Sequence, residues 1–137
     1  MDEQQARDIA DRFIEQLHRL EDGDKAVADR LTDMFADSAE LTNPIIESNA
    51  GSRRGRDQIA SFWRQYADTF GEIHSEFFDI TTSDHSAGLF WRSSGTGPSG
   101  DPMQYDGVSL LVFDDAGKIT RFQGFFDTRR LSGLSMH

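Results

Sequence analysis

Apolar residues at Ala6, Ile9, Ala10, Phe13, Ile14, Leu17 and Leu20 recur at steps of three, one, three, one, three and three. That spacing draws one stripe along a helix and predicts it over residues 2–21, with Asp2 and Gln5 placed to close its first turn. The Glu-Asp-Gly-Asp turn breaks it at Gly23, and Asp24 is placed to cap a second helix whose apolar positions are Val27, Leu31, Met34 and Phe35. "AELTNP" then predicts a short strand stopped by Pro44, which has no N–H for a ladder. Residues 45–55, rich in Gly, Asn and Arg, are expected as a loop. A third helix is predicted over 56–69, with Ile59, Phe62, Trp63, Tyr66 and Phe70 along one face. Four strands follow, at about 73–81, 86–96, 104–113 and 118–126. The turns between them are short, so neighbours run antiparallel. The pattern is α+β, and no repeat or linker divides residues 1–137, so a single domain is expected.

Alternation within the last two strands leaves two apolar faces rather than one. Tyr105, Gly107, Ser109, Leu111 and Phe113 oppose Asp106, Val108, Leu110 and Val112, while Phe122, Gly124 and Phe126 oppose Ile119, Arg121, Gln123 and Phe125, so both faces are largely apolar. A sheet with helices on one side normally shows polar residues on the other. A homodimer through the second sheet face is therefore expected.

Composition narrows the chemistry. The chain has 137 residues and a formal charge of -10, with 24 acids against 14 bases. Phosphate backbones are repelled by such a surface, so no nucleic-acid partner is expected. Cysteine is absent, which removes thiolate metal sites and cysteine nucleophiles. The four histidines form no His-x-x-x-His or comparable cluster, no Gly-rich loop leads from a strand into a helix, and no G-x-S-x-G elbow occurs. No metal and no cofactor are expected. The acidic, periodic N-terminus is unlike a secretory leader, and no apolar run reaches the roughly 18 residues of a membrane span. A soluble cytoplasmic protein with no membrane partner is the expectation.

The order of helices and strands, with "MFADSAELTNP", "GRDQIASFWRQY", "WRSSG" and "VFDDAGKITRFQGFFD" in register, resembles the nuclear transport factor 2-like superfamily, and within it the SnoaL-like branch. The resemblance implies a cone: three N-terminal helices packed on a curved antiparallel sheet that encloses an apolar cavity. Relatives include ketosteroid isomerases, limonene epoxide hydrolases, scytalone dehydratases and polyketide cyclases. The fold also serves binding proteins without chemistry and small subunits of ring-hydroxylating dioxygenases, so it leaves function open.

Carried over residue by residue, the resemblance is mixed. The isomerases' general-base Asp falls at Asn43, and their oxyanion donors fall near Gln16 and Ser109. The epoxide hydrolases' water-holding Asn and Asp fall at Asn43 and Asp127, but their Tyr falls at Leu41, and their Arg-x-Asp becomes Arg92-Ser93-Ser94. The cyclases' late-strand Asp again nominates Asp127. The candidate catalytic residues are Asp127 for proton transfer, Asn43 for orienting water or a carbonyl, and Arg92 and Tyr105 for stabilising negative charge. Trp63, Tyr66, Trp91, Ser109, Leu111, Phe122, Phe126 and His74 are expected around a pocket for a small hydrophobic, partly oxygenated molecule. One reading is a cofactor-independent isomerase, cyclase or hydrolase/lyase. The other is a non-catalytic binding module or an accessory subunit.

Overall fold

Asp2 begins the first helix as expected: its side chain accepts the Gln5 backbone N–H at 2.8 Å, while Gln5 Oε1 accepts the Asp2 N–H at 2.9 Å. The computed structural model describes residues 1–49 and 51–131. Helix α1 runs over Glu3–Glu21 and buries Ala6, Ile9, Ala10, Phe13, Leu17 and Leu20. Gly23 adopts φ 106° just beyond it, a left-handed conformation that favours glycine. Helix α2 covers Val27–Asp33. Its N-cap is Ala26, without a side-chain bond, and the Asp24 carbonyl instead accepts from Val27 N in the preceding turn. Asp24 is therefore not the cap. Phe35, expected on this helix, opens strand β1, Phe35–Thr42.

The loop expected over 45–55 also needs correction. Pro44–Asn49 forms a short helix, α3, and Arg53–Arg54 forms strand β2. Asn43 is the cause: its Oδ1 accepts from Ile45 N and Ile46 N, both at 2.9 Å, and Pro44 follows at the first helical position, where its missing N–H costs nothing. Helix α4, Gly55–Tyr66, completes four α-helices among the described residues where three were expected.

Strands β3 (Glu72–Thr82), β4 (Ser86–Thr96), β5 (Pro102–Phe113) and β6 (Ile119–Phe126) form an antiparallel meander. The six-stranded order is β2-β1-β6-β5-β4-β3. Strand β1 joins β6 in parallel, so the sheet is mixed rather than wholly antiparallel.

Strand alternation divides the residues of β3–β6 between two faces. The inner face is built from four successive cross-strand rows. The first holds Ser75, Ser93 and Tyr105, and the second Phe77, Trp91, Gly107 and Phe126. The third holds Leu89, Ser109 and Gly124, and the fourth Ala87, Leu111, Phe122 and Leu41. At the fourth row the sheet seals onto α1, α2 and α4 in the main core, with Phe13, Leu20, Leu31, Ile59 and Trp63. A second, smaller cluster of Ile45, Phe70, Ile73, Trp91 and Tyr105 closes the other end.

Candidate functional site

Between these two clusters lies a small cavity of about 60 Å3. Phe13 and Leu17 of α1, Phe62, Trp63 and Tyr66 of α4, most residues of the first three sheet rows and Phe122 of the fourth form its wall. Aromatic rings hold the wall in place. Trp63 meets Phe13 edge-on at 5.8 Å and Phe122 at 5.7 Å, and Trp91 meets Tyr105 at 5.2 Å. Trp91 reaches its position because Gly107 has no side chain: a Cβ there would stand 2.5 Å from the indole Cζ2. The indole lies across β5 and donates its N–H to Ser109 Oγ at 3.0 Å. The Trp63 indole N–H, by contrast, is buried and has no partner among the described residues.

The polar part of the wall is organised around Glu21, the last residue of α1. Its Oε1 accepts the Ser75 N–H at 2.8 Å, and its Oε2 accepts the Ser75 hydroxyl at 2.6 Å and the Tyr66 hydroxyl at 2.9 Å. Ser75 Oγ lies 2.6 Å from Ser93 Oγ, and Ser93 stands opposite Tyr105 on the neighbouring strand. His18, one turn before Glu21, donates Nε2–H to the Ser75 carbonyl at 2.7 Å and so ties α1 to β3. Burial pushes the Tyr66 phenol well above its ordinary range, and the Glu21 carboxylate pushes it further. The Tyr105 phenol is raised for the same two reasons in the same order, with Ser93 acting against them. Both tyrosines stay neutral hydrogen-bonding groups.

Six of the sequence-nominated wall residues line the cavity: Trp63, Tyr66, Trp91, Ser109, Phe122 and Phe126. Leu111 does not: it is fully buried in the main core, beside Phe122 in the same row. His74 does not either. It is exposed and stacks on His18 at 5.5 Å, outside the cavity.

Of the four catalytic candidates, Asn43 and Tyr105 reach the cavity wall. Asn43 spends its side-chain oxygen on two backbone N–H groups of α3. Arg92 faces outward, since its strand neighbours Trp91 and Ser93 face inward, and it pairs with Asp106 at 2.9 Å. Asp127 is exposed, and its carboxylate pairs with Arg129 at 2.8 Å. Arg92, Asp127 and Tyr105 nevertheless share a polar surface groove with Gln104 and Asp106. Tyr105 is thus common to groove and cavity.

Sequence reasoning missed Glu21, Ser75 and Ser93. The serines carried a signal, since alternation from Trp91 and Tyr105 assigns Ser93 to the inner face and cross-strand register then adds Ser75. Glu21 carried none, because its partners are 54 and 45 positions away. Among the described residues no group of three or more His, Asp or Glu side chains is arranged to hold a metal ion, and no helix is long and apolar enough to cross a membrane.

A mixed sheet curled around one long helix over an aromatic cavity defines a nuclear transport factor 2-like fold. The model of the SnoaL-like domain matches residues 10–122, and the chain belongs to that family. A nuclear transport factor 2-like protein of unknown function from Exiguobacterium sp. 255-15 superposes with a TM-score of 0.70 at 18% identity, over 87% of this chain and 98% of that one. A nuclear transport factor 2-like protein from Burkholderia xenovorans LB400 gives 0.72 at 20% identity, over 96% of each chain. The epoxide hydrolase/cyclase-like enzyme SalBIII of pyran ring formation in the polyether salinomycin gives 0.71 at 17% identity, over 93% and 94%. At such identities the likeness is one of fold. No curated protein sequence matches the chain.

Proposed function

We propose that the protein binds a compact apolar molecule bearing an oxygen function, held between the aromatic rows and the hydroxyls of Ser93, Tyr105 and Ser109. The aromatic cavity with a few convergent hydroxyls is the observation that carries this reading. Its size limits the ligand. About 60 Å3 is far below the roughly 300–1,000 Å3 of typical small-molecule pockets, so a ring-sized guest must displace a wall residue. Phe126 and Phe77 are half-buried, and in this reading they are the side chains that give way. The chain's two tryptophans both stand in the wall, so titration with benzene and phenol while following tryptophan fluorescence tests the reading. A saturable change with a negative heat-capacity change by calorimetry is expected. A flat response to both sinks it.

Acid–base turnover on such a ligand, as in an isomerase, cyclase or hydrolase, is a second reading. The observation in its favour is that Tyr105 links the cavity to the groove of Arg92 and Asp127. A product formed from a carbonyl or epoxide substrate over many enzyme equivalents, and lost in Asp127→Asn, supports it. Binding that Asp127→Asn leaves unaltered, without product, returns the protein to a binding module.

The outer sheet face is proposed to meet a second copy. Phe90, Val108 and Phe125 form one continuous row there, and Phe125 is 45% exposed. Sedimentation of a dimer that Phe125→Glu converts to monomer is expected. A monomeric wild type at micromolar concentration rules it out.

A further inference from the structure

We infer that the Trp63 indole N–H is a ligand-binding donor of the cavity, and that the guest it takes carries an acceptor oxygen, a carbonyl or an ether. The inference rests on the cavity being the ligand site.

Three buried side-chain polar atoms have no hydrogen-bond partner among the described residues: Gln16 Oε1, Arg53 Nε and Trp63 Nε1. Of these three residues Trp63 alone lines the cavity. The other indole of the wall differs, since Trp91 gives its proton to Ser109. A buried indole N–H normally finds a partner, and one without a partner carries the full cost of its desolvation. Trp63 cannot relieve that cost by turning to solvent. It is 1% exposed in the main core, with Phe62 edge-on at 4.9 Å and the Phe13 and Phe122 rings also packed against it. Ring faces are second-order acceptors for an N–H. A phenylalanine at this position would pack as an apolar ring and strand no donor.

A guest in the cavity can supply what the core does not. A cavity of about 60 Å3 has room for water, which needs roughly 10–15 Å3. Wet or dry beforehand, the cavity filled by a hydrocarbon leaves the N–H without an acceptor, whereas a guest oxygen provides one. Ser109 adds a second proton: its Oγ accepts from Trp91 and its own hydroxyl hydrogen remains to be given. Trp63 stands on α4 and Ser109 on β5, so both the helical and the sheet wall hold a donor.

The experiment compares cyclopentanone with methylenecyclopentane, a hydrocarbon of the same outline, by calorimetry and by the indole N–H signals of a proton–nitrogen NMR spectrum. The two tryptophans give two such signals, and either Trp91→Phe or Trp63→Phe assigns them by the loss of one. Cyclopentanone is expected to move the Trp63 proton downfield, and methylenecyclopentane is not. In Trp63→Phe, which keeps a ring and lacks the N–H, affinity for the ketone relative to the hydrocarbon is expected to fall about tenfold. Equal responses of the Trp63 signal to both guests, or a relative affinity unchanged in Trp63→Phe, overturn the inference and leave the cavity as the ligand site. If neither guest binds, the ligand site itself is wrong and this inference falls with it. Should Trp63→Phe fail to fold, the wild-type Trp63 signal decides by the same criterion.

Discussion

The first and fourth rows of the inner sheet face are built on the same strands β4 and β5 and do opposite things. The fourth row, Ala87, Leu111 and Phe122 with Leu41 of β1, meets α1, α2 and α4 with no polar atom to satisfy. The first row, Ser75, Ser93 and Tyr105, is as buried but consists of hydroxyls, and it is stable there because Glu21 accepts from one end of it. Stability is concentrated where the row is apolar, and chemical information where it is polar. A buried hydroxyl row is tolerated only with its protons accounted for.

Breaking the apolar row is expected to have the largest effect. Leu111→Ala leaves a cavity in the sealed end and should lower unfolding free energy by about 2–5 kcal/mol in a denaturant titration. The row between the two extremes comes next. Gly107→Ala drives a methyl into the Trp91 indole and the Phe125 carbonyl, and about 1–3 kcal/mol should be lost with a changed near-ultraviolet circular dichroism spectrum. An unchanged spectrum shows that Trp91 does not lie across β5.

The polar row is probed more gently by pH. The two tyrosines have folded-state values raised above the ordinary value of 10.0, so above about pH 10 the unfolded chain gives up protons that the folded chain keeps. Stability is complete below the unfolded value and falls as pH rises past it, by at most about 1.4 kcal/mol per pH unit for each tyrosine. Tyrosinate absorbance should therefore appear together with unfolding, not before it. A smooth rise in absorbance while the fold persists contradicts the burial. Asn43→Ala should cost about 0.5–2 kcal/mol through loss of the α3 cap, read in the same denaturant titration. The smallest effect is expected at Asp127→Ala, where an exposed pair with Arg129 is removed: about 1 kcal/mol or less, and phenol affinity within about twofold.

The fold was largely legible in the sequence because its signals are local. The stripe on α1, the capping pair Asp2 and Gln5, and the alternation in β5 and β6 each fit within one element. The misreadings at Asp24, Phe35 and residues 45–55 occurred where a short helix meets a turn. There, two or three residues decide the outcome, and Asn43-Pro44 reads equally as a strand stop and as a helix start. The wall's aromatic residues were legible for the same local reason as the strands. The catalytic nominations were less so, because Arg92 and Trp91 are adjacent in a strand and face opposite sides, and because Glu21 meets Ser75 only after α1 and β3 have packed.

The parallel pairing of β1 with β6 bears on how the chain is made. Leu41 lies opposite Phe122, and β1 holds the middle of the sheet's edge with only the two-residue β2 on its other side. During synthesis β1 emerges long before its main partner, and the loop to be closed spans about eighty residues, a slow non-local step. Until β6 arrives, β1 has only the two-residue β2 beside it in the sheet. A chain truncated within the last strand should therefore lose β1 from the sheet along with the strand, and aggregate rather than persist as a smaller folded unit.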